Sequence, residues 1–427
     1  MKNLLTLSLI AGFFIFLASC GGDDPVVTTD DETSNEVVSG LISSNATWTS
    51  DKIYELAGRV IVESGVTLTI EAGTIIKGRE GTGSLASTLI ISRGAKIEAV
   101  GTAAAPIIFT SVLDDIEVGE KIGSNLSKTN NETWGGLIIL GNAPISAKTG
   151  DDEASIEGIP ADEAFGKYGA ISGATNAADD SGTMKYVSIR HGGSLIGDGN
   201  EINGLTLGGV GSGTVIDNIE IYATLDDGVE FFGGTVNASN VLVYWQGDDG
   251  LDIDQNYSGT VTNWIVSHGA GVGTDEGLEI DGPESTLKDG KFTLKDGTIL
   301  TDGAEGGNAD IKSDAQGTFD NVKFPTGGEL KIEGEYAAGD CTDHATGTYS
   351  DALQNVIDGD FTITGTEFGA ISVYSKKDSD GNALCTAVSA SDQSAAETAL
   401  GASTTATGAD GSVFGWTAAV LSGDATF

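Results

Sequence analysis

Three six-residue phrases in the middle of the chain concentrate carboxylates: Asp226-Asp227-Gly228-Val229-Glu230-Phe231, Asp248-Asp249-Gly250-Leu251-Asp252-Ile253 and Asp275-Glu276-Gly277-Leu278-Glu279-Ile280. Grouped carboxylates support two chemistries. They gather a hard cation such as calcium, which accepts many oxygen ligands in flexible geometry, or, set apart as acid and base, they cleave a glycosidic bond. From Asp226 to Asp281 there is no Lys or Arg, so the acids raise one another's pKa and attract a mobile cation. The plain alternative is a solvated acidic surface, the commonest fate of a charge run.

The phrases begin 22 and then 27 residues apart, a repeat too small for each unit to bury a core alone. Stacked as coils of a parallel β-solenoid, their carboxylates form columns with a spacing of about 4.8 Å. Alternation puts Val229, Phe231, Leu251, Ile253, Leu278 and Ile280 inside. One outward column is then Glu230, Asp252 and Glu279, and a second is Phe232, Asp254 and Asp281, with Asp226, Asp227, Asp248, Asp249, Asp275 and Glu276 at the flanking turn. The expected metal ligands are Asp227, Glu230, Asp249, Asp252, Asp254, Glu276, Glu279 and Asp281, and the expected ion is calcium. Asp252-Ile253-Asp254-Gln255-Asn256-Tyr257-Ser258 has the alternating oxygens of a calcium loop. It is no EF-hand, because Tyr257 stands at the glycine position and Asn263 at the bidentate glutamate position.

A second signal runs in phase with the first. Ser212-Gly213-Thr214-Val215, Gly234-Thr235-Val236, Gly259-Thr260-Val261 and Gly317-Thr318-Phe319 each precede a strand-like run, around Ile219-Glu220-Ile221, Val241-Leu242-Val243, Trp264-Ile265-Val266 and Val322-Lys323-Phe324. Each coil thus holds at least two strands joined by glycine turns, and order begins near Val38. Two segments interrupt the coils, Asp114–Thr133 and Ser146–Gly182, the second read as a surface for partner contact or a variable loop. The β-helix is expected over residues 38–330 and a cap over 331–427, with a helix from Ser391 as N-cap to a stop at Gly401.

With 63 acidic against 21 basic residues, the formal charge is −42, a field that repels nucleic acid. Apolar content of 39% is enough for a core. Lys2 and the apolar run Leu4–Leu17 read as a signal peptide over residues 1–19, too short to span a bilayer. Leu17-Ala18-Ser19-Cys20 resembles the bacterial lipoprotein box, which implies lipidation of Cys20 and an acidic tether over 20–37. Gly21-Gly22-Asp23-Asp24 resembles the signal that sends lipoproteins of Bacteroidetes-type bacteria to the cell surface. Cys341 and Cys385 then remain as an even pair, expected to form a disulfide in an exported chain.

The passage closing in Pro106-Ile107-Ile108-Phe109-Thr110-Ser111 resembles the opening coils of right-handed parallel β-helix proteins. Trp134-Gly135-Gly136-Leu137-Ile138-Ile139-Leu140, Tyr186-Val187-Ser188-Ile189-Arg190-His191 and Asn203-Gly204-Leu205-Thr206-Leu207, with the acidic phrases, resemble a family of Bacteroidetes cell-surface β-helix lipoproteins of ill-defined activity. That resemblance implies an all-β solenoid on the outer membrane, held by its lipid anchor; a glycan or an outer-membrane protein is the partner expected for its acidic face. The Asp-Asp-Gly phrases followed by His-Gly also resemble polygalacturonase-type hydrolases, whose carboxylates and histidine would here be Asp226, Asp248, Asp249 and His268. Against catalysis, the acids recur on every coil, and Ile311-Lys312 only weakly echoes the basic motif of those enzymes. Trp245, Tyr257 and Trp264 are candidates for stacking on sugar rings, although aromatic stacks inside the solenoid explain them equally well. The leading reading is a non-catalytic binding or structural lipoprotein. A polysaccharide hydrolase and an accessory lipoprotein of a nutrient transporter are the alternatives.

Overall fold

Runs such as Leu89-Ile90-Ile91 and Val241-Leu242-Val243 carry large apolar side chains on both faces, which favours short strands buried on both sides. They become rungs of a 23-stranded sheet whose pairings are parallel throughout, and the chain winds as an all-β parallel β-helix. The computed structural model describes residues 35–197, 200–269, 275–301, 307–336, 344, 351–377, 382–385 and 387–427. Cys20 and Cys341, on which the expected lipid anchor and the expected disulfide rest, lie outside these residues, while Cys385 is buried.

Two ladders position everything that follows. The acid ladder stacks Leu137–Leu140, Leu205–Gly208, Val229–Phe232, Leu251–Asp254, Leu278–Ile280, Ala309–Ile311, Glu329–Gly334 and Ala370–Ser375. Val229, Leu251 and Leu278 are in register and buried, as are Phe231, Ile253 and Ile280. Each contributes roughly 2 kcal/mol by leaving water. The second ladder stacks Gly182–Arg190, Val215–Tyr222, Asn237–Tyr244, Thr260–His268, Phe292–Thr301, Gly317–Lys323 and Phe361–Thr364. The rungs therefore continue past residue 330, into the segment expected to be cap alone.

Six rungs of the second ladder bend at the same place. Tyr186, Asn218, Asn240, Asn263, Asp296 and Asn321 occupy equivalent positions, all with φ between 51° and 59°. Asn and Asp tolerate this left-handed backbone better than other side chains. Their side chains also bond from rung to rung: Asn240 Nδ2 donates to Asp217 Oδ1 at 2.8 Å, Asn263 Nδ2 to Asn240 Oδ1 at 2.7 Å and Asn321 Nδ2 to Asp296 Oδ1 at 2.7 Å.

The first rungs of the acid ladder are apolar on the outside as well, and the 146–182 insertion supplies their cover. Ala147, Ala154, Ile156, Ile159 and Tyr168 pack with Ile90, Ile138, Leu140 and Phe232 in a second core outside the coil. The part read as a partner surface thus has its inner face occupied by the chain's own coil, and 171–178 stay exposed. At the C-terminal end, helices Ala352–Asp358 and Ala390–Leu400 send Leu353, Val356, Ala396 and Leu400 into the core. The N-cap of the second helix is Ser389, whose Oγ accepts from Asp392 N at 3.2 Å, two residues before the expected Ser391. Gly401 ends the helix as expected. Residues 402–427 then turn back along the outside of the second ladder.

Candidate metal centre

Each phrase opens at a corner where backbone meets backbone. A Cβ on Gly228 would lie 2.3 Å from Val243 Cγ1 and one on Gly250 2.3 Å from Val266 Cγ1, so only glycine fits. The second acid of each phrase ties its coil to the next. Asp227 Oδ1 accepts from Asp249 N at 2.8 Å, and Asp249 Oδ1 accepts from Glu276 N at 2.6 Å. Asp249, read from sequence as a metal ligand or catalytic acid, is thus a brace between coils.

Beyond the corner the outward column runs Thr206, Glu230, Asp252, Glu279, Asp310 and Lys331 in register. Two groups converge at its lower end. Carboxylate oxygens of Asp227, Glu230 and Asp252 lie within 4.8 Å of one another, and so do those of Asp226, Asp227 and Asp248. Asp227 and Glu230 are buried although their side chains leave the coil core. Burial, then the charges of Asp226 and Asp249, pushes Asp227 well above the carboxylate range. Burial also comes first for Glu230, followed by Glu157 and Asp227, and for Asp252, followed by Glu230 and Asp227. The Asp252 Oδ1 atom is enclosed without a hydrogen-bond partner.

Two residues missed from sequence complete this site. Asn203, fully buried on the preceding rung, donates through Nδ2 to Glu230 Oε2, while its own Oδ1 is enclosed without a partner. Glu157, from the insertion, comes within 3.5 Å of the same Nδ2. The signal was available: Asn203-Gly204-Leu205-Thr206-Leu207 aligns residue by residue with Asp227-Gly228-Val229-Glu230-Phe231, a phrase with neutral oxygens.

Higher on the ladder the expected ligands part company. Lys312 pairs with Glu279 and lies 3.5 Å from Asp281, and Lys331 pairs with Glu276 and lies 3.4 Å from Asp310. Sequence reading found no counter-charge inside the acidic stretch, and the fold brings two from later coils. Asp254 is pushed well above the carboxylate range by burial and then by Asp281 and Glu284. Within the 252–258 stretch read as a calcium loop, Asp252 keeps an unpartnered oxygen while two later oxygens are engaged elsewhere. Gln255 Oε1 accepts from Tyr168 OH at 2.8 Å and Asn256 Oδ1 from Gly290 N at 2.8 Å.

The catalytic alternative is also divided. Asp226 and Asp248 converge, but His268 is fully buried, with Nδ1 3.0 Å from Gln246 Nε2. Burial pushes it down to about 4. Trp245, Tyr257 and Trp264, candidates for sugar stacking, are all buried. Tyr257 lies 4.6 Å from Phe231 inside the coil, Trp264 belongs to the same core, and Lys128 Nζ covers Trp245 at 4.2 Å.

Fold and ladder together define a parallel β-helix with an acidic outward face. A family model, the pectate-lyase-like β-helix domain, matches residues 40–420, and the chain belongs to that family. No curated protein and no solved structure matches it.

Proposed function

We propose that the protein is a non-catalytic binding or structural β-helix, held on the outer surface of a bacterial outer membrane through a lipidated Cys20, whose acidic face carries calcium. The carrying observation is the convergence of Asp227, Glu230 and Asp252 with an enclosed, unpartnered Asp252 Oδ1, while no described Lys or Arg pairs with any of the three. Leaving such a group of charges uncompensated in a buried setting costs several kcal/mol, and a divalent cation removes that cost. Asp226, Asp248 and the Asn203 amide oxygen are the further oxygens at hand. The lipoprotein reading rests on Leu17-Ala18-Ser19-Cys20 and the acidic residues after it. Calcium-loaded acidic faces suit a glycan or an envelope protein as partner, the latter including a nutrient transporter.

The test is thermal melting with calcium and with chelator. Saturating calcium at about a hundred times Kd raises stability by roughly 2.7 kcal/mol. An unchanged midpoint would sink the metal reading and leave the fold untouched. For the hydrolase reading, the test is wild-type turnover of a polysaccharide that is lost in an Asp249→Ala variant shown by its circular dichroism to remain folded.

A further inference from the structure

Residues 402–427 cross the outside of the second ladder from its last rung toward its first. Thr404 N donates to Thr366 O at 2.9 Å, Thr407 N to Asn321 Oδ1 at 2.9 Å, Ala409 N to Thr298 Oγ1 at 2.9 Å and Asp410 N to Asn263 Oδ1 at 2.6 Å. Farther along, Trp416 meets Tyr186 edge-on at 5.5 Å, and Asp424 accepts from Tyr222 OH at 2.7 Å. Two of the asparagines that bend the rungs, Asn263 and Asn321, thus also grip this strap, through its backbone amides.

The end of the strap has a built anchor. Glu220 points outward from its rung yet is fully buried. Ala418 N and Ala419 N each donate to it at 2.9 Å, and Ser188 Oγ donates at 2.5 Å while itself accepting from Arg190 Nε at 2.7 Å. A buried carboxylate is tolerable only when its lone pairs are used. Two of the three donors come from the strap, and the third, Ser188, links Glu220 to the buried Arg190 of the neighbouring rung. The 114–133 insertion closes over the same end: Lys128 lies 3.5 Å from Asp424 and Ile122 joins the cluster of Tyr222, Tyr244, Trp245, Phe414 and Ala419.

We propose that residues 402–427 are a latch, seated in a backbone-reading groove anchored at Glu220, and that its docking makes the coils between Glu220 and Thr366 open as one unit. Without it, each coil touches only its neighbours, and a solenoid loses coils one at a time from an end. Bonds from one segment to rungs as far apart as those of Thr366 and Tyr222 couple coils that never meet.

Native-state hydrogen exchange on the full chain tests this, comparing wild type with Glu220→Gln, which puts an amide donor where acceptors are needed. The expected result is exchange at least tenfold faster at Ala418 and Ala419, with matching acceleration in Asn237–Tyr244, Thr260–His268 and Gly317–Lys323. Acceleration confined to the strap makes it a passive cover and overturns the proposal; no acceleration at Ala418 and Ala419 removes Glu220 as anchor and overturns it equally. Asp424→Asn, at a partly exposed position, is the variant whose folding is not at stake. It should give the same pattern at smaller size, and unchanged rungs beside an accelerated strap would count against the latch in the same way.

Discussion

Glu230 and Asp252 face outward on neighbouring rungs with no described basic partner, whereas Glu279, on the next rung, is paired by Lys312, and Glu276 beside it by Lys331. The strands, corners and inward residues of these rungs are alike. What differs is the rung above. Two coils later the outward position holds Lys331 rather than another acid, and Lys312 follows Ile311 on the coil between. The upper stretch is compensated by the chain itself, so it offers a cation nothing it lacks. The lower stretch is closed in by Asn203 and by Glu157, the second of which adds charge of the same sign. Acid content alone therefore does not set a cation site apart: the upper acids are already paired by lysines of later coils, and the lower ones have no described lysine beside them.

The contrast can be broken in order of size. The largest effect is on pH dependence in chelator. Asp227, Glu230 and Asp252 are raised well above their usual range and Asp249 to about 7, chiefly by burial. A folded-state pKa above the unfolded one gives a contribution that is full below about pH 4 and is lost as pH rises through the folded value, for Asp249 about 7. The melting midpoint in chelator should then fall between pH 5 and 8, and calcium should flatten that slope; a midpoint rising with pH would contradict the arrangement. Next, Lys331→Met strands the buried Glu276 and takes the cation away from the partly buried Asp310, which keeps its bond from Tyr374, at a cost of ~2 kcal/mol once partial exposure is allowed for. Denaturant titration reads this.

Asp252→Asn acts on the other half with the opposite sign. Removing one of the crowded charges should raise stability in chelator by ~1 kcal/mol and abolish the calcium shift. A calcium response that survives this substitution places the ion elsewhere. Smallest is Tyr168→Phe, which loses the 2.8 Å bond to Gln255 that helps dock the insertion. About 0.5 kcal/mol is expected, read as faster proteolysis of the exposed 171–178 stretch.

Much of this was legible in the sequence. Alternation within Val229-Glu230-Phe231 and its two counterparts separates inside from outside, and the corner glycines follow from the repeat. The lysines were not legible as counter-charges, because Ala309-Asp310-Ile311-Lys312 and Leu330-Lys331-Ile332 lack the Asp-Asp-Gly opening that announces a phrase. Only register puts Lys331 above Glu279 and Lys312 beside it, next to Asp281. The aromatic candidates failed for another reason: Trp264 has the same period-two placement whether it faces a ligand or a core, and in a coil closed on itself the core wins. The strap carries no repeat at all, and its anchor lies 199 residues from Ala419, beyond the reach of any local pattern.

The column of left-handed bends has a practical meaning for anyone wishing to alter this scaffold. Between the residue before each bend and the strand after it, Asp217, Ser239, Thr262, Lys295 and Asp320 keep one register, followed two places on by Ile219, Val241, Trp264, Gly297 and Val322. No residue is added or lost there, whereas the distance between successive acidic phrases changes from 22 to 27. Length is free at one set of corners and fixed at the other. A foreign loop grafted ahead of an acidic phrase would travel as one more excursion from the coil; the same loop at Asn240 would throw the rungs beyond it out of alignment.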